Sequence, residues 1–198
     1  RRRWDSTFAN MHVLSSELYA KCTDQGVADQ FLRNIGVPTP NSIDGLQSEP
    51  DRVCFIKPRN GFGSKGARKI SVDELGELSK SELEGLIVQE VCDGPEVTVD
   101  SFYDVRADAS FAYCRERIET KSGVCTKARV FFDTELAAIA RKIGKGLKHL
   151  GTICFHAMKG QVVWLITDLT VRSGAGTAIK CRAVFDVLSA TFACRTGP

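Results

Sequence analysis

Long apolar runs are what this 198-residue sequence most plainly lacks. No stretch approaches the ~20 residues of a membrane-spanning helix, and no signal-peptide pattern stands at the start, so no membrane partner is expected. One-sided charge is missing too. A net charge of +3 excludes a dedicated nucleic-acid binder unless the basic residues cluster, so no nucleic-acid partner is expected. The eight cysteines contain no C-x-x-C pair, which removes the commonest zinc and redox spacings. They sit mostly in apolar runs (Cys54 in "VCFI", Cys154 in "TICF") and read as reduced, buried thiols of a cytoplasmic protein. Internal repeats and low-complexity tracts are absent, and 43% hydrophobic with 26% charged residues rules out disorder and collagen-like structure.

What is present can bury a core, in one large domain or two small ones. The chain opens on "RRRWDSTFANMHVLSSE" without Met. With His12–Ser16 reading as a lone strand, a piece of a longer protein missing its upstream domain is expected. "TDQGVADQFLRNIGVPTP" reads as a helix: Val27, Phe31, Leu32 and Ile35 recur at helical spacing, Gly36 stands at the stop, and Pro38 and Pro40 forbid continuation. "RVCFIKP" is a short buried strand, "ARKI" a second, and Ser71 with Glu74 opens a helix as a capping pair. "GLIVQEV", "PEVTVDSFYD" and "SFAYCRERIET" read as strands, the last two as a meander. "FFDTELAAIARKIGKGLKHLG" is the strongest helix, with Gly151 as its stop. "TICFHAMKGQVVWLITDLTV" reads as a hairpin turning at Lys159–Gly160, and "AIKCRAVFDVLSATFAC" is helical in pattern. This order predicts an α+β fold and not a doubly wound parallel sheet.

The string Gly61-x-Gly63-x-x-Gly66 in "IKPRNGFGSKGARKI" matches a dinucleotide fingerprint. That fingerprint needs a helix to open directly after it, and Ala67–Ile70 reads as a strand instead. A Walker A loop also fails, because Gly66 precedes Ala-Arg and not Lys-Ser/Thr. What remains is a flap between two strands, whose amides and Lys65 could lie over a polyphosphate, with Lys57 aimed at the same phosphates. A glycine hairpin without a ligand is the plain alternative. Three further features stand in order along the chain. Glu90 ends an apolar run, where an unpaired charge is costly, and Glu96 follows it. Asp168, Thr170 and Arg172 share one face of a strand by alternation, a magnesium-and-phosphate pattern. His156 could face Asp168 across the hairpin.

In combination these stretches resemble the ATP-grasp superfamily, most closely its carbamoyl-phosphate-synthetase-like carboxylate–amine ligases. The resemblance runs from about Val13 to about Leu188. "FIKPRNGFGSKGARKI" resembles the family's lysine strand and phosphate-covering loop. "IVQEVCDGPEVTVD" resembles its adenosine-binding stretch, "RERIETKSGVCTKAR" the acceptor side, and "ITDLTVRSGAGTA" the metal strand. The resemblance implies an ATP-grasp fold of two α+β subdomains clasping the nucleotide. Residues 24–92 and 93–198 would be the subdomains, and 1–23 the remnant of the upstream domain and its linker. ATP and Mg²⁺ are the implied cofactors. Lys57 would meet the α- and β-phosphates, and the loop Asn60–Arg68 would cover them, with Ser64, Lys65 and Gly66 nearest. Glu90 and the backbone of Val91 and Cys92 would hold the adenine, and Glu96 the ribose. Asp168, with His156 and Thr170, would bind the metal. Arg172 would neutralise charge developing in phosphoryl transfer, and Arg117 and Lys127 would meet the acyl phosphate or the acceptor.

Departures from the family pattern are specific. Its opening Asp-Lys pair falls on Asp24-Gln25, so one phosphate-binding cation is missing, although Lys21 lies a helical turn upstream. The metal positions carry His156, the shortened carboxylate Asp168, Thr170 in place of Asn, and Val171 in place of Pro. The function expected is an ATP-dependent ligase that activates a small-molecule carboxylate as an acyl phosphate for attack by an amine. Partners are those two substrates, with a homodimer as an open alternative. A degenerate module that binds nucleotide without turnover, as a regulatory or scaffold domain, is the competing reading. A nucleic-acid-binding fragment using "RRRW" and Arg115, Arg117 and Arg129 is the third.

Overall fold

The computed structural model describes residues 15–43, 51–61, 65–121, 124–148 and 151–171. They divide into two compact units. The first holds the described parts of Arg1–Tyr19, Thr98–Cys154 and Val171–Pro198; the second holds those of Ala20–Val97 and Phe155–Thr170.

Helix α1 spans Ser16–Thr23, and helix α2, Gln25–Asn34, follows at once. Asp24 makes the break. Its carboxylate accepts from the backbone N–H groups of Gly26 and Val27, satisfying two donors that a helix start leaves orphaned. Helix α2 buries Ala28 and Leu32 and stops as Gly36 predicts. Gly36 takes φ 66, its N–H bonds to Arg33 O, and Val37 N–H reaches back to Leu32 O. That left-handed closure costs glycine little.

Strands β1 (Val53–Pro58), β2 (Arg68–Ser71) and β3 (Leu86–Glu90) form an antiparallel sheet in the order β2-β1-β3. Cys54 and Ile56 are fully buried and pack with Ile43, Ile70 and Leu75. Burying one such aliphatic side chain contributes about 1.5–3 kcal/mol. The short helices α3 (Val72–Gly76) and α4 (Lys80–Glu84) each open on a capping box, Ser71 with Glu74 and Ser79 with Glu82. Only the first was expected; the second carries the same S-x-x-E signature.

In the first unit, strand β4 (Glu96–Asp104) lies between β5 (Ala109–Lys121) and β7 (Gly151–Lys159), with β6 (Val124–Phe131) outside β5. Residues Thr98–Tyr103 of β4 are all buried. Within that interior Arg115 Nε donates to Asp100 Oδ2 at 2.6 Å. Helix α5, Thr134–Leu147, buries Leu136, Ile139, Ala140, Ile143 and Gly144. Gly144 backs onto the Tyr103 ring so closely that a Cβ there would lie 2.4 Å from Cγ. In the second unit the far half of β7 is followed by β8, Trp164–Thr170, its neighbour in the sheet.

Several expectations need correcting. Ser16 begins a helix and is no part of a strand, while His12–Leu14 lie outside the described residues. Phe131 ends β6 and Phe132 is 67% exposed; α5 begins only after Asp133, whose carboxylate caps Leu136 N–H. The helix stops at Lys148, in the left-handed region at φ 49, and Gly151 belongs to β7. The hairpin turn is longer than Lys159–Gly160: Gly160 N–H bonds to Val163 O. Strand β6 was not anticipated. The C-terminal segment read as helical lies outside the described residues. The α+β reading with antiparallel sheets holds.

Candidate functional site

Lys57 is the centre of the second unit's polar chemistry. On β1 it alternates with Ile56, which points into the core, so Lys57 faces the other way. Its ammonium donates to the Thr167 carbonyl at 2.6 Å. It borders an open hollow lined also by Gln25, Asp29, Leu32 and Asp168. Burial pushes the Lys57 pKa down, while the Asp168 and Asp29 carboxylates pull the other way. Ordinarily protonated, this lysine is a poorly hydrated cation, which suits it to an arriving anion.

Asp168 is half-buried on β8 and accepts from Gln25 Nε2 at 3.4 Å. The other end of that amide, Gln25 Oε1, is buried and has no hydrogen-bond partner. Asp29, one turn along the same helix face, is ion-paired to Arg33 at 2.9 Å and accepts from Gln89 Nε2 at 3.4 Å. Sequence reasoning noted Gln25 only as a departure and missed Asp29. The i,i+4 spacing behind the Asp24 cap was the available signal.

Arg59, where the glycine loop begins, is latched to the start of α2. Its guanidinium bonds both oxygens of Asp24, at 3.0 and 3.2 Å from Nη2, and its carbonyl accepts from Gln25 N–H at 2.9 Å. Burial alone would raise the Asp24 pKa, but the Val27 amide and the Arg59 guanidinium bring it below the usual value. Lys65 and Gly66 are exposed at the far end of the loop, with Gly66 at φ 79. Ser64 lies outside the described residues.

The Glu90 carboxylate has a partner, as its apolar setting demanded. Asn41 donates to it twice, from backbone N at 2.9 Å and from Nδ2 at 3.2 Å. Glu90 N–H is bonded in turn to the Asn41 carbonyl. Val91 and Cys92 follow, both half-buried. Burial, then the Glu90 and Asp93 charges, raises the Cys92 thiol pKa. The Glu96 carboxylate lies 3.0 Å from His156 Nδ1, so two residues expected in different roles are neighbours. The His156 carbonyl accepts from Thr167 Oγ1 of β8 at 3.4 Å. Thr170 is half-buried at the end of β8, and Arg172 lies outside the described residues. Among the described residues, no three His, Cys, Asp or Glu side chains gather where a metal ion could sit.

A match to the ATP-grasp domain family covers residues 22–153. The chain belongs to the ATP-grasp family. A curated relative, the 3-methyl-D-ornithine–L-lysine ligase of Methanosarcina acetivorans, is 33% identical over 90 residues, 44% of this chain. The chain spans only 22% of that relative's length. Two solved structures share the ATP-grasp fold at 12% identity. The L-amino acid ligase of Bacillus licheniformis gives a TM-score of 0.64 over 89% of this chain and 46% of that one. The biotin carboxylase domain of Hydrogenobacter thermophilus 2-oxoglutarate carboxylase, solved with MgADP, ADP and bicarbonate, gives 0.72 over 90% and 46%.

For an ATP-grasp chain the second unit's residues can be tested against nucleotide and metal. They fit a polyphosphate, because Lys57 is a desolvated cation and the glycine loop starts two residues later. They fit one Mg²⁺, because Mg²⁺ needs only one or two carboxylates when phosphates complete its shell. Asp168 is one such group, and Gln25 Oε1 is a neutral oxygen still lacking a donor or cation. The remaining expected residues belong to the first unit. Arg117 and Lys127 are exposed on β5 and β6, whose register pairs Arg117 with Ala128 and Lys127 with Glu119 across a bulge.

Proposed function

We propose that this chain is the nucleotide-binding part of an ATP-dependent ligase that joins a small-molecule carboxylate to an amine. The carrying observation is the Lys57 ammonium, held half-buried beside Asp168 where β1 runs into the glycine loop. Bound ATP would supply a phosphoryl group to the carboxylate, with ADP leaving, and the amine would then attack the acyl carbon of the acyl phosphate and displace inorganic phosphate.

The residues' work is positioning and charge neutralisation, since phosphoryl transfer asks for little covalent help. Lys57 holds the α- and β-phosphates, and Ser64, Lys65 and Gly66 close over them. Glu90, Val91 and Cys92 present backbone to the adenine, with Asn41 fixing the Glu90 side chain. Glu96, steadied by His156, takes the ribose. Asp168 would hold Mg²⁺, with Thr170 nearby on the same strand. Arg172 meets the developing phosphate charge, and Arg117 and Lys127 serve the acceptor side.

Full-length protein mixed with Mg-ATP and a panel of acids and amines should release phosphate only when both substrates are present. Lys57→Ala should weaken ATP binding about 10- to 100-fold, the equivalent of a charge-assisted hydrogen bond of roughly 1.5–3 kcal/mol. Unchanged affinity by calorimetry would remove Lys57 from the site. A second reading, a module that binds nucleotide without turnover, draws on the neutral Gln25 and on the His156 ring being engaged by Glu96. Nucleotide binding with no phosphate release across a broad panel would favour it.

A further inference from the structure

Residues 37–43 leave the stop of α2 and run between two strands of the second unit without forming a strand of their own. On one side lies β3: Ser42 faces Gln89 as an isolated antiparallel bridge, Ile43 N–H bonds to Val88 O at 3.1 Å, and Glu90 N–H bonds to Asn41 O at 2.9 Å. On the other lies β8, whose Ile166 N–H bonds to Pro38 O at 2.9 Å. Both strands stand at the end of their sheet's order, so one segment satisfies backbone groups on two edges. Val37, Thr39 and Ile43 are buried. Two side chains fasten the segment. Arg33, in the last turn of α2, donates from Nη2 to the Pro40 carbonyl while Asp29 holds its Nε at 2.9 Å. Asn41 donates to the Glu90 carboxylate from backbone N and from Nδ2, at 2.9 and 3.2 Å. Pro38 and Pro40 stiffen the segment and, having no N–H, offer only their carbonyls.

We propose that Arg33 and Asn41 are positioning residues that make residues 37–43 a seam, holding the backbone at Glu90 and the strand that carries Asp168 at one fixed spacing. Ile166 stands two residues before Asp168 on β8, and Glu90 opens the run Glu90, Val91 and Cys92. Arg33 works through the Pro40 carbonyl and Asn41 through Glu90, so neither has to meet a ligand itself. Asp29 ties the seam inward as well, because its carboxylate also accepts from the buried Gln89 side chain at 3.4 Å. What the spacing serves rests on the nucleotide-site reading above; the seam itself does not. On that reading one side of the seam meets the base and the other meets the phosphate end. A fixed spacing then suits a ligand that has both ends, a nucleoside polyphosphate, because a site ordered beforehand loses less entropy on binding.

Amide hydrogen exchange of the full chain, read by nuclear magnetic resonance, tests the seam without nucleotide. The Glu90 and Ile166 N–H groups report its two sides, and Ile56, paired on both sides within β1, is the control. Asn41→Asp sets a carboxylate against the Glu90 carboxylate and should speed both reporters about tenfold or more, with Ile56 within about twofold. Arg33→Met should do the same. Adding Glu90→Gln to Asn41→Asp again sets a donor against an acceptor and should return both reporters to within about threefold of wild type. Should Asn41→Asp fail to fold by circular dichroism, Asn41→Ser and Arg33→Met carry the comparison. Calorimetry with ADP runs in parallel, and each single variant should weaken ADP about fivefold or more. Exchange that rises at one reporter alone, at neither, or equally at Ile56 overturns the seam, and so does a double variant that stays fast. Faster exchange at both reporters with ADP affinity within about twofold overturns the positioning role. Wild type that binds no ADP removes the nucleotide-site reading and leaves the seam to stand or fall on exchange.

Discussion

Replacing Asp100 by Leu should be among the most damaging single changes in the first unit. Asp100 is 1% exposed and Arg115 3% exposed, and Arg115 Nε lies 2.6 Å from Asp100 Oδ2. Burial works against the Arg115 charge, but the Asp100 carboxylate more than offsets it, and the net effect is to raise an already high pKa. The guanidinium therefore cannot escape by losing its proton when its partner goes. It stays charged and unpaired, at a cost of about 3–5 kcal/mol. Against a total stability of about 5–15 kcal/mol, that is a third or more. With a urea slope of about 2 kcal/mol/M, the midpoint should fall by roughly 1.5–2.5 M. Urea unfolding of the full chain followed by circular dichroism reads this directly. The double variant Asp100→Leu with Arg115→Met removes both charges and should recover most of the loss, since buried pairs often exchange for apolar groups at little cost. A single substitution costing under about 1 kcal/mol would refute the reasoning, and so would a double variant as unstable as the single.

Three other outcomes follow from the packing and the charges. Gly144→Ala drives a Cβ to 2.4 Å from Tyr103 Cγ and should cost about 1–3 kcal/mol by overpacking, seen as a lower melting temperature; made in a Tyr103→Ala background, the same glycine change should cost less. Asp24 has a folded pKa below its ordinary 3.8, so its contribution is fully present above that value and lost as pH falls through the folded pKa. The stability gap between wild type and Asp24→Asn should therefore shrink as pH falls below the ordinary carboxylate value; a gap that widens there would contradict the assignment. Burial, with the Asp168 charge second, raises the Cys22 thiol to about 11. At pH 8 only about a thousandth of it is thiolate, so native Cys22 should alkylate far more slowly than the same thiol in urea.

Local signals read well wherever the physics is local. The apolar run around Cys54 and Ile56 made β1, Ser71 with Glu74 made a capping box, and Gly36 made a helix stop. Each depends on neighbours within about four positions. The same logic separated the glycine string from a dinucleotide loop, because a strand and not a helix follows it. Where a local rule had two solutions, it failed. Lys148 closes α5 in a conformation usually left to glycine, and the double phenylalanine before Asp133 serves a strand and not the helix.

The candidate site shows the same boundary. The order of residues was enough to single out Lys57, Glu90, Glu96, His156 and Asp168, and for Glu90 the apolar run before it required that the charge find a partner. It could not say which partner. Asn41 reaches Glu90 over 49 positions, Glu96 and not Asp168 takes the imidazole, and Gln25 meets Asp168 across 143. Those pairings depend on how the strands register and on which face of α2 turns toward β8, and both are settled by burying apolar area over the whole unit. Composition and spacing decide what kind of group stands at a position; only the packed chain decides what that group touches.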